Sequence, residues 1–295
     1  MTGTATALHR PAGSTARHPW LLDVDPEGAG WGYAGLRVGQ LAPGTAVTVP
    51  TAQAETLVLP LAGSVEVTCD GQTVSLAGRP DVFAGPSDFA YLPEGSTVAL
   101  RSDDGAKVAL PWARTAARLP FRHVAAAAVA VELRGAGPCS RQVNNFATPG
   151  ELAADRLIAC EVLTPGGNWS SYPPHKHDED RPGESVLEEI YYFEVAAGPG
   201  GPGLGYQRVY GTPQRPVDVL VEVRSGDVVL VPHGWHGPSM AAPGYDLYYL
   251  NVMAGPGERS WQICDDPAHA WVRDTWASQP VDPRLPFGAT GGRPR

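Results

Sequence analysis

Strand-length apolar runs, each closed by a turn signal, recur along almost the whole chain, and this rhythm most restricts what it can fold into. Residues 56–61 and 63–69 are two such runs. Asp70-Gly71 then leads into 72–76, and both turn residues tolerate the positive φ that a two-residue hairpin requires. Val82-Phe83, 89–92 and 97–100 continue the series, with Pro93-Glu94-Gly95 as punctuation. Short, closely spaced strands bury their faces in sandwiches or barrels. Gly 35 and Pro 30 make about a fifth of the 295 residues, a turn-rich level short of disorder.

The second half repeats the style. Residues 157–163, 189–195, 205–210, 217–223, 228–231 and 246–253 read as strands. Asp265-Asp266-Pro267 places a capping carboxylate before a first-turn proline, which predicts a short helix over 269–276. Between the halves lies HVAAAAVAVELRG (123–135), read as extended because its β-branched residues alternate and Gly135 and Gly137 close it. At roughly 150 residues per domain the length fits two domains, with the division expected between 1–135 and 136–295. Residues 1–20 show no hydrophobic period and are expected to form a loose lead-in.

The formal net charge of -9 argues against a nucleic-acid partner, which would need a basic stripe to neutralise phosphates. Cys69, Cys139, Cys160 and Cys264 lack CxxC spacing and read as free thiols. No apolar run approaches the ~18 residues of a membrane helix, and the first residues contain no apolar signal core. A soluble cytoplasmic protein is expected.

Chemistry concentrates in residues 168–195, NWSSYPPHKHDEDRPGESVLEEIYYFEV. His175 and His177 are two apart, so on a strand both imidazoles point to one face and can reach one metal. Glu188 or Glu189 arrives from the next strand. Alternation lets only one of them face the site, and Glu189, which begins the apolar run, is preferred. GDVVLVPHGWH (226–236) is a strand ending in a Pro/Gly turn that projects His236. Three imidazoles and one carboxylate suit one divalent transition metal per chain, with Zn first and Mn, Fe, Ni or Co admitted; Mg or Ca would want more carboxylates. His233, inside the turn, is a candidate pocket residue. His9, His18, His123 and His269 have no ligand-like spacing. The first half holds no HxH and reads as a structural partner.

The HxH…E and GDVVLVPxGxH elements resemble the two cupin motifs, and two such barrels in tandem resemble a bicupin. GNWSSYPPHKHD, LEEIYYF, GYQRVY, GDVVLVPHGWHGPSMAAPGYDLYYLNVMAGP and DDPAHAWV are similar to the 5-deoxy-glucuronate isomerase family of myo-inositol catabolism, itself related to isomerases of 5-keto-4-deoxyuronate. The distinctive strings span 168–272; the first half resembles the family only in layout. The resemblance implies an all-β bicupin with a metal held by His175, His177, Glu189 and His236. The sequence departs from the general cupin pattern in a longer gap from His177 to the glutamate and one residue fewer in PxGxH.

The implied reaction is an aldose–ketose isomerisation of 5-deoxy-D-glucuronate to 5-dehydro-2-deoxy-D-gluconate. It needs a Lewis acid, a proton shuttle and a cation for the substrate's carboxylate. Glu188, Asp178, Tyr172 and Tyr248 are candidates for the shuttle, with Glu188 and Tyr248 put forward. Among Lys176, Arg208 and Arg259, Arg208 is the expected carboxylate partner, because Lys176 alternates away from the histidine face. The partner is then a small anionic sugar acid, with no nucleic acid and no membrane, and a homo-oligomer is compatible. The rival functions are a metal-dependent dioxygenase using the same ligand shell and a sugar-sensing module.

Overall fold

The computed structural model describes residues 8–288 and is almost entirely β, with one four-residue α-helix at Pro26–Ala29 and short 3-10 turns. The strands form two consecutive units of the tandem cupin type. In the first, Ala54–Cys69 is a single 16-residue strand where two were expected. It is long enough to serve two sheets. Its first part pairs with Phe89–Leu92 and Ala106–Arg114, its last part with Gln72–Arg79 and Val98–Arg101. The Asp70-Gly71 hairpin forms as expected, with Cys69 opposite Gln72. Val82–Ala84 is a 3-10 turn rather than a strand, because the Asp81 carboxylate caps it by accepting from the Phe83 amide.

In the second unit, Val228–Val231, Glu188–Val195, Leu247–Ala254, Ile158–Thr164, Arg141–Asn145 and Ala130–Arg134 succeed one another across a seven-stranded antiparallel sheet. A four-stranded sheet containing Gly205–Tyr210 and Asp218–Val223 is the other main sheet of this unit. Hydrogen bonding closes neither unit into a complete barrel. Both faces of the sheet's central strands are buried, while Ala130–Arg134 at its edge is largely exposed. Ile190, Tyr192, Leu250 and Val252 join a cluster shared with Leu36, Leu57 and Phe89 of the first unit. Tyr191, Phe193, Tyr249 and Met253 face the interior of the second unit. Two buried faces explain why these strands read as continuous apolar runs rather than alternating ones. Burying Ile190, Leu250 and Val252 is worth roughly 1.5–3 kcal/mol each.

The division between units differs from the expected cut after residue 135. Arg122–Val124 still pairs with the first unit's Phe89–Leu92, while Ala130–Arg134 already pairs with Arg141–Asn145. The sheet changes between Val124 and Ala130, around a 3-10 turn at Ala126–Ala128. Residues 1–7 of the expected lead-in lie outside the described residues, and the rest of it is tied into the fold rather than loose. His9–Arg10 forms the edge strand beside Val228 and Val229, and His9 Nε2 lies 3.1 Å from Asp227 Oδ2. Backbone pairing of this kind needs no hydrophobic period. Trp20–Val24 is a further strand, pairing with Ala34–Leu41.

Buried polar groups lock the units together in both directions. Glu55 of the first accepts from the backbone amides of Asp155, Arg156 and Leu157 at 2.9, 2.6 and 2.7 Å. Glu188 of the second accepts from the amides of Gly32, Tyr33 and Ala34 at 2.7, 2.8 and 2.9 Å. Arg79 and Glu161 form a two-pronged pair, both contacts 2.7 Å, with side chains 3% and 0% exposed. Glu188 is half-buried, so Glu188→Ala should cost about 1 kcal/mol of stability, the ordinary net worth of such hydrogen bonds. Bound metal should stay unchanged. Denaturant midpoints and elemental analysis read the two effects separately.

No helix among the described residues is long and apolar enough to cross a membrane. The expected helix at 269–276 is a 3-10 helix, Ala270–Ser278. Asp266 is not its capping residue, since His269 takes that position, and its Oδ1 accepts instead from the Ala268 amide.

Candidate metal centre

The pieces of the centre are joined first by backbone. His175 lies in the two-residue strand His175–Lys176, His177 comes directly after it, Glu189 sits near the start of Glu188–Val195, and His236 lies in the turn after Val228–Val231. The His175 amide donates to the His236 carbonyl at 2.9 Å, and the His236 amide donates back at 2.8 Å. Glycines make the turn tight enough for this. Gly237 has φ +109, and a Cβ there would stand 2.7 Å from the His175 ring and 2.3 Å from the Ser171 carbonyl oxygen. Gly234 has φ +93, and a Cβ there would stand 2.8 Å from the Tyr210 carbonyl oxygen. A side chain at either position would push His236 or His175 out of place.

All four side chains are buried, and one ring nitrogen from each histidine lies within 4.8 Å of the other two. Glu189 Oε2 lies 2.9 Å from both His177 Nε2 and His236 Nε2, which are 3.0 Å from one another. The other ring nitrogens are committed. His177 Nδ1 faces the Leu187 carbonyl at 3.2 Å and His236 Nδ1 the Gly234 carbonyl at 2.8 Å. A carbonyl only accepts, so each Nδ1 carries the proton and each Nε2 of a neutral ring presents a lone pair. Two nitrogen lone pairs and a carboxylate oxygen at one point repel one another unless positive charge lies between them. A divalent cation relieves that repulsion, so the donor set fits the metal that the sequence implies.

The electrostatics agree. Burial and then the neighbouring imidazoles His236 and His177 push the His175 pKa well below the usual histidine range, which keeps it in the neutral, ligating form. Burial alone would disfavour charge on His177, but the Glu189 carboxylate outweighs it and raises its pKa. Burial also opposes ionisation of Glu189, yet the imidazoles of His177 and His236 hold its pKa far below the carboxylate range. The centre is tuned for positive charge beside Glu189.

His175 and Glu189 open onto a cavity of about 500 Å³ that Ser171, Cys160, Tyr191 and Asn251 also line. This is within the usual size range for small-molecule sites.

The KduI/IolB family model matches residues 7–272. The chain belongs to the KduI/IolB family. Among its relatives, a protein of Geobacillus kaustophilus named 5-deoxy-glucuronate isomerase is 42% identical over 260 residues, covering 86% of this chain and 91% of its own. One of Bacillus subtilis strain 168 with the same name is 38% identical over 243 residues, covering 81% and 88%. The crystal structure of an IolB-like protein from Salmonella typhimurium LT2 superimposes with a TM-score of 0.83 at 35% identity, covering 90% of this chain and 98% of that one. Oxalate decarboxylase of Lactobacillus farciminis shares the fold at 12% identity, with a TM-score of 0.59 and 82% of each chain covered.

In this KduI/IolB member the other expected site residues lie away from the cavity. Glu188 faces the first unit and is held by the amides of Gly32, Tyr33 and Ala34. Tyr248 alternates to the same side, under the Arg79 guanidinium at 5.8 Å, in the cluster between the units. Its neighbour Tyr249 faces the interior, where its hydroxyl lies 2.7 Å from Ser171 Oγ and 3.0 Å from Ser170 Oγ. Arg208 pairs with Asp218 and stacks over Tyr210, in a separate groove with Trp169 and His269. Arg259 donates to the carbonyls of Leu157, Leu152 and Ala147, and Lys176 pairs with Asp178 and Glu184. His233 does not line the cavity; burial, then Arg215, lowers its pKa. Tyr172 lines the Arg208 groove, and Asp178 accepts from the Gly234 amide at 2.9 Å, bracing the turn that carries His236.

Three arginines that do line the cavity, Arg134, Arg141 and Arg273, carry no signal in the sequence. Arg134 lies within, and Arg141 just beyond, the segment 123–135 read as the link between the halves, where no register assigns a face. The third sits on the C-terminal 3-10 helix, whose packing partner the sequence does not reveal.

Proposed function

We propose that this chain is a metal-dependent aldose–ketose isomerase converting 5-deoxy-D-glucuronate to 5-dehydro-2-deoxy-D-gluconate. What carries the proposal is the meeting of His177 Nε2, His236 Nε2 and Glu189 Oε2 within 3.0 Å at one buried point, in a chain 42% identical to a protein named for that isomerase. His175, His177, His236 and Glu189 would hold one divalent transition metal, zinc by first choice, with Mn, Fe, Ni or Co compatible with the same donors. Bound there, the ion supplies Lewis acidity beside a cavity that admits a small sugar acid.

The protein's own groups set up the rest. The Leu187 and Gly234 carbonyls fix the tautomer and aim of His177 and His236. Glu189 contributes the charge that balances the ion. Tyr191 and Asn251 wall the cavity. Four free cysteines suit the reducing cytoplasm, where we place the enzyme.

NMR of metal-replete protein incubated with 5-deoxy-glucuronate tests the proposal. The aldehydic signals should give way to those of the 2-deoxy-keto acid at an equal rate with and without oxygen. No conversion, or conversion that consumes oxygen, would overturn it.

A further inference from the structure

Arg141 begins the strand Arg141–Asn145 and lies directly opposite Arg134 on the paired strand Ala130–Arg134. Partners opposite one another on an antiparallel pair project from the same face, here the cavity face, and like charges so placed repel. Arg273 reaches the same cavity from the C-terminal 3-10 helix, and the Trp276 ring lies 5.5 Å from the Arg141 guanidinium carbon and 5.2 Å from that of Arg273. Two of the three cations are balanced. Arg134 Nε lies 2.8 Å from Glu132 Oε1, and Arg273 Nη2 donates to Asp265 Oδ1 at 2.7 Å.

Arg141 is different. It is 6% exposed, yet among the described residues it pairs with no carboxylate, and its one hydrogen bond is to the Cys139 carbonyl at 3.2 Å. A guanidinium carries five N–H donors, so most of its donors are uncommitted. Burial, with Arg134 and Arg273 adding to it, lowers its pKa to about 10, so it stays cationic at neutral pH. Arg134 and Arg273 each have a carboxylate partner and Glu189, the other carboxylate of the cavity wall, is committed to His177 and His236, so Arg141 is the arginine of this wall that pairs with no carboxylate among the described residues. A guanidinium buried this far without a carboxylate partner is costly unless something arrives to use it.

We propose that Arg141 is the residue that grips the carboxylate of the substrate, with Arg134 and Arg273 strengthening the field around it. A guanidinium fork matches a carboxylate with two parallel hydrogen bonds and would fix which end of a linear sugar acid faces the histidines. This rests on the isomerase reading for the identity of the substrate, but the anion site itself does not. It takes over the part assigned to Arg208 from sequence alone.

The test compares wild-type protein with Arg141→Met and Arg141→Lys. KM for 5-deoxy-glucuronate should rise at least tenfold in Arg141→Met and less in Arg141→Lys, while kcat changes little and metal content stays at the wild-type level. By calorimetry the metal-loaded wild type should bind D-glucuronate at least tenfold more tightly than D-glucose, and Arg141→Met should lose that preference. Removing an uncompensated buried charge should leave Arg141→Met melting at or above the wild-type temperature, whereas an arginine with a structural ion pair would melt lower when replaced. A preference for the acid that survives in Arg141→Met, or is absent from the wild type, overturns the proposal. Failure of the isomerase reading would look different: no turnover of 5-deoxy-glucuronate, with acid binding still dependent on Arg141.

Discussion

His236→Ala purified at neutral pH should hold little or no transition metal and should lose essentially all isomerase activity. The expectation comes from where His236 sits. Its Nε2 is 2.9 Å from Glu189 and 3.0 Å from His177 Nε2, and its backbone pairs with His175. Removing it opens the shell and leaves Glu189 facing a gap. Losing a mere supporting hydrogen bond at a metal site costs roughly 10–100-fold in affinity, so losing a donor should cost more. Because the backbone bridge to His175 does not involve the side chain, the variant should stay folded, with a circular dichroism spectrum like the wild type. Elemental analysis and turnover should fall together; full metal content in a folded His236→Ala would show that the ion binds elsewhere.

Arg79→Ala should be the most destabilising single change away from the centre. Arg79 donates to both oxygens of Glu161 and also to the carbonyls of Pro60 and Gly85. Burial opposes its charge, but the Glu161 carboxylate outweighs burial and raises its pKa. Without Arg79, Glu161 is left 0% exposed without its cation, keeping the Asn144 Nδ2 hydrogen bond at 2.7 Å. Breaking a buried pair by removing one partner costs about 3–5 kcal/mol, while replacing both partners by apolar groups of similar volume is often neutral. Arg79→Ala should therefore unfold at a clearly lower denaturant concentration, and Arg79→Met combined with Glu161→Leu should recover most of the loss. A single variant as stable as the wild type would mean that the two units do not depend on this pair.

How much was legible in the sequence depended on whether a residue's role is local. The HxH pair, the glutamate before an aromatic strand and the glycine-flanked His236 are set by spacing and turn chemistry within a few residues, and the structure brings all four side chains together. The choice of Glu189 over Glu188 matches the orientation observed, because alternation along one strand is also local. Tyr248 lies on the other face of its strand from the cavity, for the complementary reason. Its face depends on the antiparallel register in which Tyr191 meets Asn251 and Phe193 meets Tyr249, and a single sequence does not contain that register. Arg208 sits on a well-read strand, but in the sheet whose groove faces away from the centre. Arg141 needed three facts that only the fold supplies: its opposition to Arg134, the approach of Arg273 and the lack of a carboxylate partner among the described residues. The interlocking of the units through Glu55, Glu188 and Arg79 was equally hidden, since each joins positions about a hundred residues apart or more, or crosses from one unit to the other.

The most direct measurement is a metal titration of chelator-treated protein, with 5-deoxy-glucuronate turnover followed as zinc or manganese is added back. Turnover should be negligible in the metal-free protein, then rise linearly and saturate at about one ion per chain. Under the same additions Glu189→Gln should recover little. Full turnover by protein shown to be metal-free would contradict a metal-dependent isomerase.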